Sequence, residues 1–187
     1  MAASKSVSSS ASPAEAKAAQ AAESVAPVHP AIDAGALLSD EEIQTIVGAP
    51  LKDRKLSERT DRGLAVSQCY FELPTASDSM VLSVWEGAGP NDTRAKSVWK
   101  EMFDRDFDKE EEGEKDEKGE KENKRPEKLA GLGEEAYALP QRFGALIYVL
   151  KGGNFFRLSI GGGPSDTKEK KLETLRAASE AVLKRLP

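Results

Sequence analysis

The sequence predicts an α+β domain over residues 37–187, with a single antiparallel sheet of five to six strands and three helices. Three observations lead there. Stretches of alternating apolar and polar side chains occur in neighbouring pairs joined by turn residues, as antiparallel strands do. Two other stretches repeat their apolar residues every three to four positions, the spacing of a helix with one buried face. A capping box opens a third helix.

That box is Ser39-Asp40-Glu41-Glu42. It precedes Ile43, Ile46 and Val47 on one face, and Gly48 and Pro50 end the helix. Residues 63–73 and 79–86 read as strands joined by a turn through Pro74, Ser77 and Asp78. A helix is expected from Asn91, because Ala95, Val98, Trp99, Met102 and Phe103 share one face. Residues 135–139 form a short strand. Residues 143–150 are an almost unbroken apolar run, as in a strand covered on both faces. Gly152-Gly153 is a hairpin turn into a strand at 154–160. The last helix is expected from about Ser165, with Leu172, Leu175, Val182, Leu183 and Leu186 on one side.

Two stretches do not read as fold. Residues 1–36 hold 13 Ala, 7 Ser and 3 Pro and have no apolar periodicity, so they cannot offset their ordering entropy and are expected to form a disordered tether. His29, the one histidine, falls here without a rigid shell to orient it. Residues 104–128 carry 12 acidic and 8 basic side chains and repeat a Gly-Glu-Lys pattern, which reads as a charged low-complexity loop interrupting the domain. A calcium loop would need oxygen ligands at alternating positions around a sharp turn, and the interleaved lysines argue against one.

Residues 87–96 align with 161–170 at an offset of 74. Each stretch follows a strand and opens a helix. A duplicated β-β-α unit is one explanation, and convergence on the same strand-to-helix turn is the other. Both turns are glycine-rich, yet neither has Walker or dinucleotide-binding spacing. Asn91 and Ser165 read as ordinary N-caps. Asp92 and Asp166 put negative charge where a phosphate would sit.

Several motifs together resemble a family. Leu37–Ile43 with Val47-Gly48, Ser67–Phe71, Gly131–Tyr137, Gly144–Lys151 and Arg157–Gly162 resemble uncharacterised exported bacterial domains, many of them lipoproteins of α+β fold. The resemblance covers residues 37–187 apart from the charged loop and implies no activity. It implies an exported, periplasmic or cell-envelope location. The Ala/Ser-rich start looks like the tether that follows a lipidated cysteine, so a membrane tether through an N-terminal lipid anchor is expected. MAASKSVSSSASP itself shows no export signal, which leaves a cytoplasmic location as the alternative.

The net charge of −5 belongs to the appendages. Outside residues 1–36 and 104–128 the chain carries 17 basic and 17 acidic side chains, so no basic stripe points to nucleic acid. One Cys and one His exclude an internal disulfide and a Cys/His zinc cluster, and no cofactor or metal is expected. Cys69 reads as a buried structural thiol beside Phe71 and Leu73. Glu134 and Glu135 are neighbours on a strand, so their side chains diverge and cannot act as a carboxylate pair. Asp166, Thr167, Lys168, Lys170 and Lys171 read as a solvated helix start.

The candidate binding residues come from strand alternation. If Leu82, Val84, Phe156 and Leu158 point inward, then Tyr70, Trp85, Tyr148, Phe155 and Arg157 point to the opposite face. Such residue types are enriched at binding hot spots. Alternatively, the short helix after Ser39 or the tail covers them as a second small core. The expected function is a non-catalytic binding or accessory module of the bacterial cell envelope, taking an unknown protein or small ligand. The alternatives are a hydrolase-like enzyme with an uncommon Ser/Lys or carboxylate site and a cytoplasmic interaction or scaffold protein.

Overall fold

Ser39 caps its helix as the motif requires: its hydroxyl accepts from the Glu42 amide at 3.2 Å, while the Glu42 carboxylate accepts from the Ser39 amide at 2.9 Å. The helix is α1 (Asp40–Val47), and Gly48 closes it in the left-handed region. The computed structural model describes residues 30–87, 92–103, 126–139, 141, 144–162 and 167–187. The tether at 1–29 with His29, most of the charged loop (104–125), and Asn91, Phe143, Ser165 and Asp166 lie outside the described residues.

The fold is α+β, with three α-helices and one antiparallel sheet of seven strands among the described residues. In chain order the strands are β1 (Asp53–Asp61), β2 (Leu64–Glu72), β3 (Met80–Glu86), β4 (Glu127–Lys128), β5 (Glu135–Leu139), β6 (Ala145–Lys151) and β7 (Asn154–Ile160). Across the sheet they run β1-β2-β3-β7-β6-β5-β4. The expected count of five to six misses the two edges. β1 is six-ninths charged, DRKLSERTD, so it shows no apolar alternation. It forms because a tight turn at Arg62-Gly63, both at positive φ, folds it onto β2 over nine residue pairs. Its charges suit an edge, where they discourage pairing with another chain. β4 is two residues long and falls in the stretch read as charged loop.

Helices cover both faces of the sheet. On the first, α3 (Lys168–Arg185), α1 and a 3-10 turn at Ala34–Leu37 bury Cys69, Phe71, Leu82, Val84, Ile147, Val149, Phe156 and Leu158. Arg54 ties the 3-10 turn to β1 through the Gly35 and Leu38 carbonyls, and Arg185 ties α3 to Glu42 of α1 at 2.8 Å. On the second face, among the described residues, lies one helix, α2 (Arg94–Phe103). Thus the helices that follow residues 87–96 and 161–170 pack on opposite faces. A two-fold axis between β3 and β7 would place them on the same one.

Three local expectations are corrected. Thr167, not Ser165, caps α3 by accepting the Lys170 amide at 3.3 Å. Lys171 is no solvated helix start: it is only 5% exposed and donates to the Gly161 carbonyl. The described part of the apolar run, 144–150, is not covered evenly on both faces. β6 alternates, and on the α2 side Leu150 is buried while Leu146 and Tyr148 are half-buried. Geometry explains this. A ten-residue helix is about 15 Å long, whereas seven strands span about 29 Å, so the described residues of α2 cover only part of the face.

Candidate functional site: a groove beside the α2 helix

Side chains on the α2 face fall into rows set by strand register. The first row reads Arg59, Val66, Trp85, Phe155, Leu150 and Glu135 from β1 to β5. The second reads Ser57, Gln68, Ser83, Arg157, Tyr148 and Tyr137, and the third Lys55, Tyr70, Val81, Ser159, Leu146 and Leu139. α2 lies over the first row. Trp99 packs against Phe155 (5.9 Å between centroids) and donates its indole N–H to Glu135 at 3.0 Å. Phe103 stacks on Tyr137 at 4.6 Å and meets the edge of Tyr148 at 5.4 Å.

The structure therefore divides the five predicted residues. Trp85 and Phe155 are not on an open face: they are 6% and 1% exposed, stacked on each other at 4.9 Å beneath α2. The cover is α2 itself, rather than the short helix after Ser39, which packs on the other side. Trp85 also donates to Asp61 at 2.9 Å, so its one polar atom is satisfied. Tyr70, Tyr148 and Arg157 remain half-buried. Tyr148 sits under the end of α2, whereas Tyr70 and Arg157 line a groove.

This groove has a volume of about 400 Å³ and crosses β2, β3, β7 and β6. Tyr70, Val81, Leu146 and Ser159 of the third row lie along it, with Arg157 at the boundary with the covered half. At one end Gly144 and Gly161 bring loops close. Gly144 has φ +89, and a Cβ there would strike the Ile160 carbonyl, so only glycine fits. Val81, Leu146 and Ser159 were not anticipated, although each has the same strand parity as Trp85, Tyr148 or Arg157. The alternation that picked out the aromatic residues would have found them.

Arg157 is the unusual group. Its Nε is buried and has no hydrogen-bond partner, while its guanidinium lies 5.9 Å from the Trp85 ring centroid. The neighbouring cations are engaged. Arg59 donates to the Gln68 side-chain oxygen at 2.9 Å, and Lys52 and Lys55 donate to Glu72 at 2.6 and 2.7 Å. Those two lysines, Lys52 first, pull the Glu72 carboxyl down to about 2.

The other candidates are structural. Cys69 is fully buried, and burial pushes its thiol up to about 11, so it stays protonated at neutral pH. Glu134 and Glu135 diverge: Glu134 accepts the Gly152 amide at 2.6 Å, and Glu135 the Trp99 indole. At the start of α2 the Asp92 carboxylate accepts the Arg94 amide at 2.8 Å, occupying the place an anion would take. Among the described residues no cluster of three or more His, Cys, Asp or Glu is placed to hold a metal ion, and no helix is long and apolar enough to cross a membrane.

Comparison with protein-family models, with curated proteins and with solved structures finds no match to this chain.

Proposed function

We propose that this chain is a non-catalytic binding module whose ligand lies in the groove over Tyr70, Val81, Ser159 and Leu146. The observation that carries this reading is that the described residues cover only part of the second sheet face. A well-packed first row gives way to a groove of about 400 Å³ with mixed apolar and hydroxyl lining, within the size range of small-ligand pockets. A buried, protonated Cys69 and two diverging glutamates favour binding over catalysis. The Ala/Ser-rich stretch at 1–29, with its tether-like composition, supports a place at the bacterial cell envelope. Recovery of the native protein with the membrane fraction of its cells is the expected result for that location, and recovery with the cytosol counts against it.

The groove is tested by amide shift mapping against a fragment set of neutral, anionic and cationic small molecules. Shifts should gather on residues 70, 81, 146, 157 and 159. Binding that maps only to other surfaces, or no binding at all, contradicts the reading.

A further inference from the structure

We propose that Arg157 makes the groove a receptor for a singly charged carboxylate on an apolar body; this rests on the binding reading above and adds the ligand class. Arg157 is a cation with an unpaired nitrogen. A guanidinium stays charged at all physiological pH and offers five donors in a planar fork, so a partly buried one is normally met by a carboxylate or by carbonyls. In this protein Arg157 Nε is buried without any partner.

The carboxylates of the α2 face near it are committed elsewhere: Asp61 to the Trp85 indole, Glu72 to Lys52 and Lys55, and Glu135 to the Trp99 indole. Nor is the arginine free to swing away. Its guanidinium rests against Trp85, which is itself clamped on Phe155. The guanidinium thus lies at the lip of the groove, with its Nε lacking a partner.

The rest of the lining sets the ligand's other features. Among the described residues Arg157 is the one charged side chain along the groove, so a single negative charge neutralises it, while a phosphate dianion would leave a charge over. Ser159 and Tyr70 add hydroxyls on either side of Val81, and Val81, Leu146 and Ile160 supply apolar wall. Four strands across, the groove is about 14 Å long, room for an acyl chain or a ring behind the carboxylate.

The test titrates the full chain, below micelle concentrations, with decanoate, decanol, decylamine and decyl phosphate, following groove amides by NMR. Wild type, Arg157→Met, Arg157→Lys and Val81→Glu are compared, and their amide spectra report folding. Decanoate is expected to bind at least about tenfold more tightly than decanol, and Arg157→Met to lose about 10- to 100-fold for decanoate only. Arg157→Lys falls between, because it keeps the charge without the fork. Val81→Glu weakens decanoate and strengthens decylamine.

Equal binding of decanoate and decanol, or decanoate binding unchanged in Arg157→Met, overturns the carboxylate assignment. So does Arg157-dependent binding of decyl phosphate that is tighter than that of decanoate. If all four probes shift the groove without charge preference, the ligand class falls and the binding reading stands. If none shifts a groove residue, both fall.

Discussion

The two halves of the α2 face are built from similar side chains and behave differently. Around the first row, Trp85, Phe155, Trp99 and Phe103 pack ring on ring, and each indole nitrogen has a carboxylate acceptor. Two residues along the strand from that row Arg157 is half-buried, as is Tyr70 four residues along its own, and one buried nitrogen goes unpaired. Composition does not separate the halves. What separates them among the described residues is reach: α2 spans Arg94–Phe103, and its last aromatic contacts are with Tyr137 and Tyr148. A satisfied aromatic layer is core, and an uncovered one with an unspent donor is a place for something else.

The contrast can be broken most forcefully at Trp99. Trp99→Ala is expected to cost about 3–5 kcal/mol in urea denaturation, because it empties the space between α2 and the sheet. Tyr70→Ala, on the open half, should cost about 1 kcal/mol or less, as surface changes do. Comparable losses at both sites would mean that the halves are one core.

A smaller effect tests the cover on the opposite face. Ser39→Ala removes the acceptor for the Glu42 amide and should cost about 1 kcal/mol, leaving ligand binding unchanged. A change in groove affinity would show that α1 is coupled to the far side of the sheet.

The smallest effect concerns the charged rim at Glu72. Its carboxyl is lowered from 4.5 to about 2 in the folded chain, so folding favours the ionised form. That stabilisation is present above about pH 4.5 and fades as pH falls through about 2. Glu72→Gln should therefore lower the urea midpoint slightly at pH 7, and the variant and the parent should converge toward pH 2. A difference of the same size at both pH values would contradict the pairing with Lys52 and Lys55.

Much of this architecture is legible in the chain before any coordinates. The capping box at Ser39, the apolar face of α2, the Gly152-Gly153 hairpin and the parity that sets Leu82 against Trp85 all follow from local chemistry. β1 is not legible, because six charged residues mask a strand that exists through its turn and its partner. Equally hidden is the side on which each helix packs. Periodicity shows that Val98 and Trp99 face something, not which face of the sheet receives them. That choice buried Trp85 and Phe155 and left Arg157 at the margin, so the site was half visible. Its residues could be grouped by alternation, but its edge depends on where α2 packs.

If Arg157 is kept for a ligand rather than for the fold, urea denaturation of Arg157→Met tests it most directly. Methionine retains the apolar stem and removes a buried donor without an acceptor, whose desolvation costs about 1–3 kcal/mol. Set against this is the loss of the contact with Trp85, worth about 0.5–1 kcal/mol. The variant should therefore be as stable as the parent or more stable. A loss of more than about 1 kcal/mol would make Arg157 a structural residue and contradict the account.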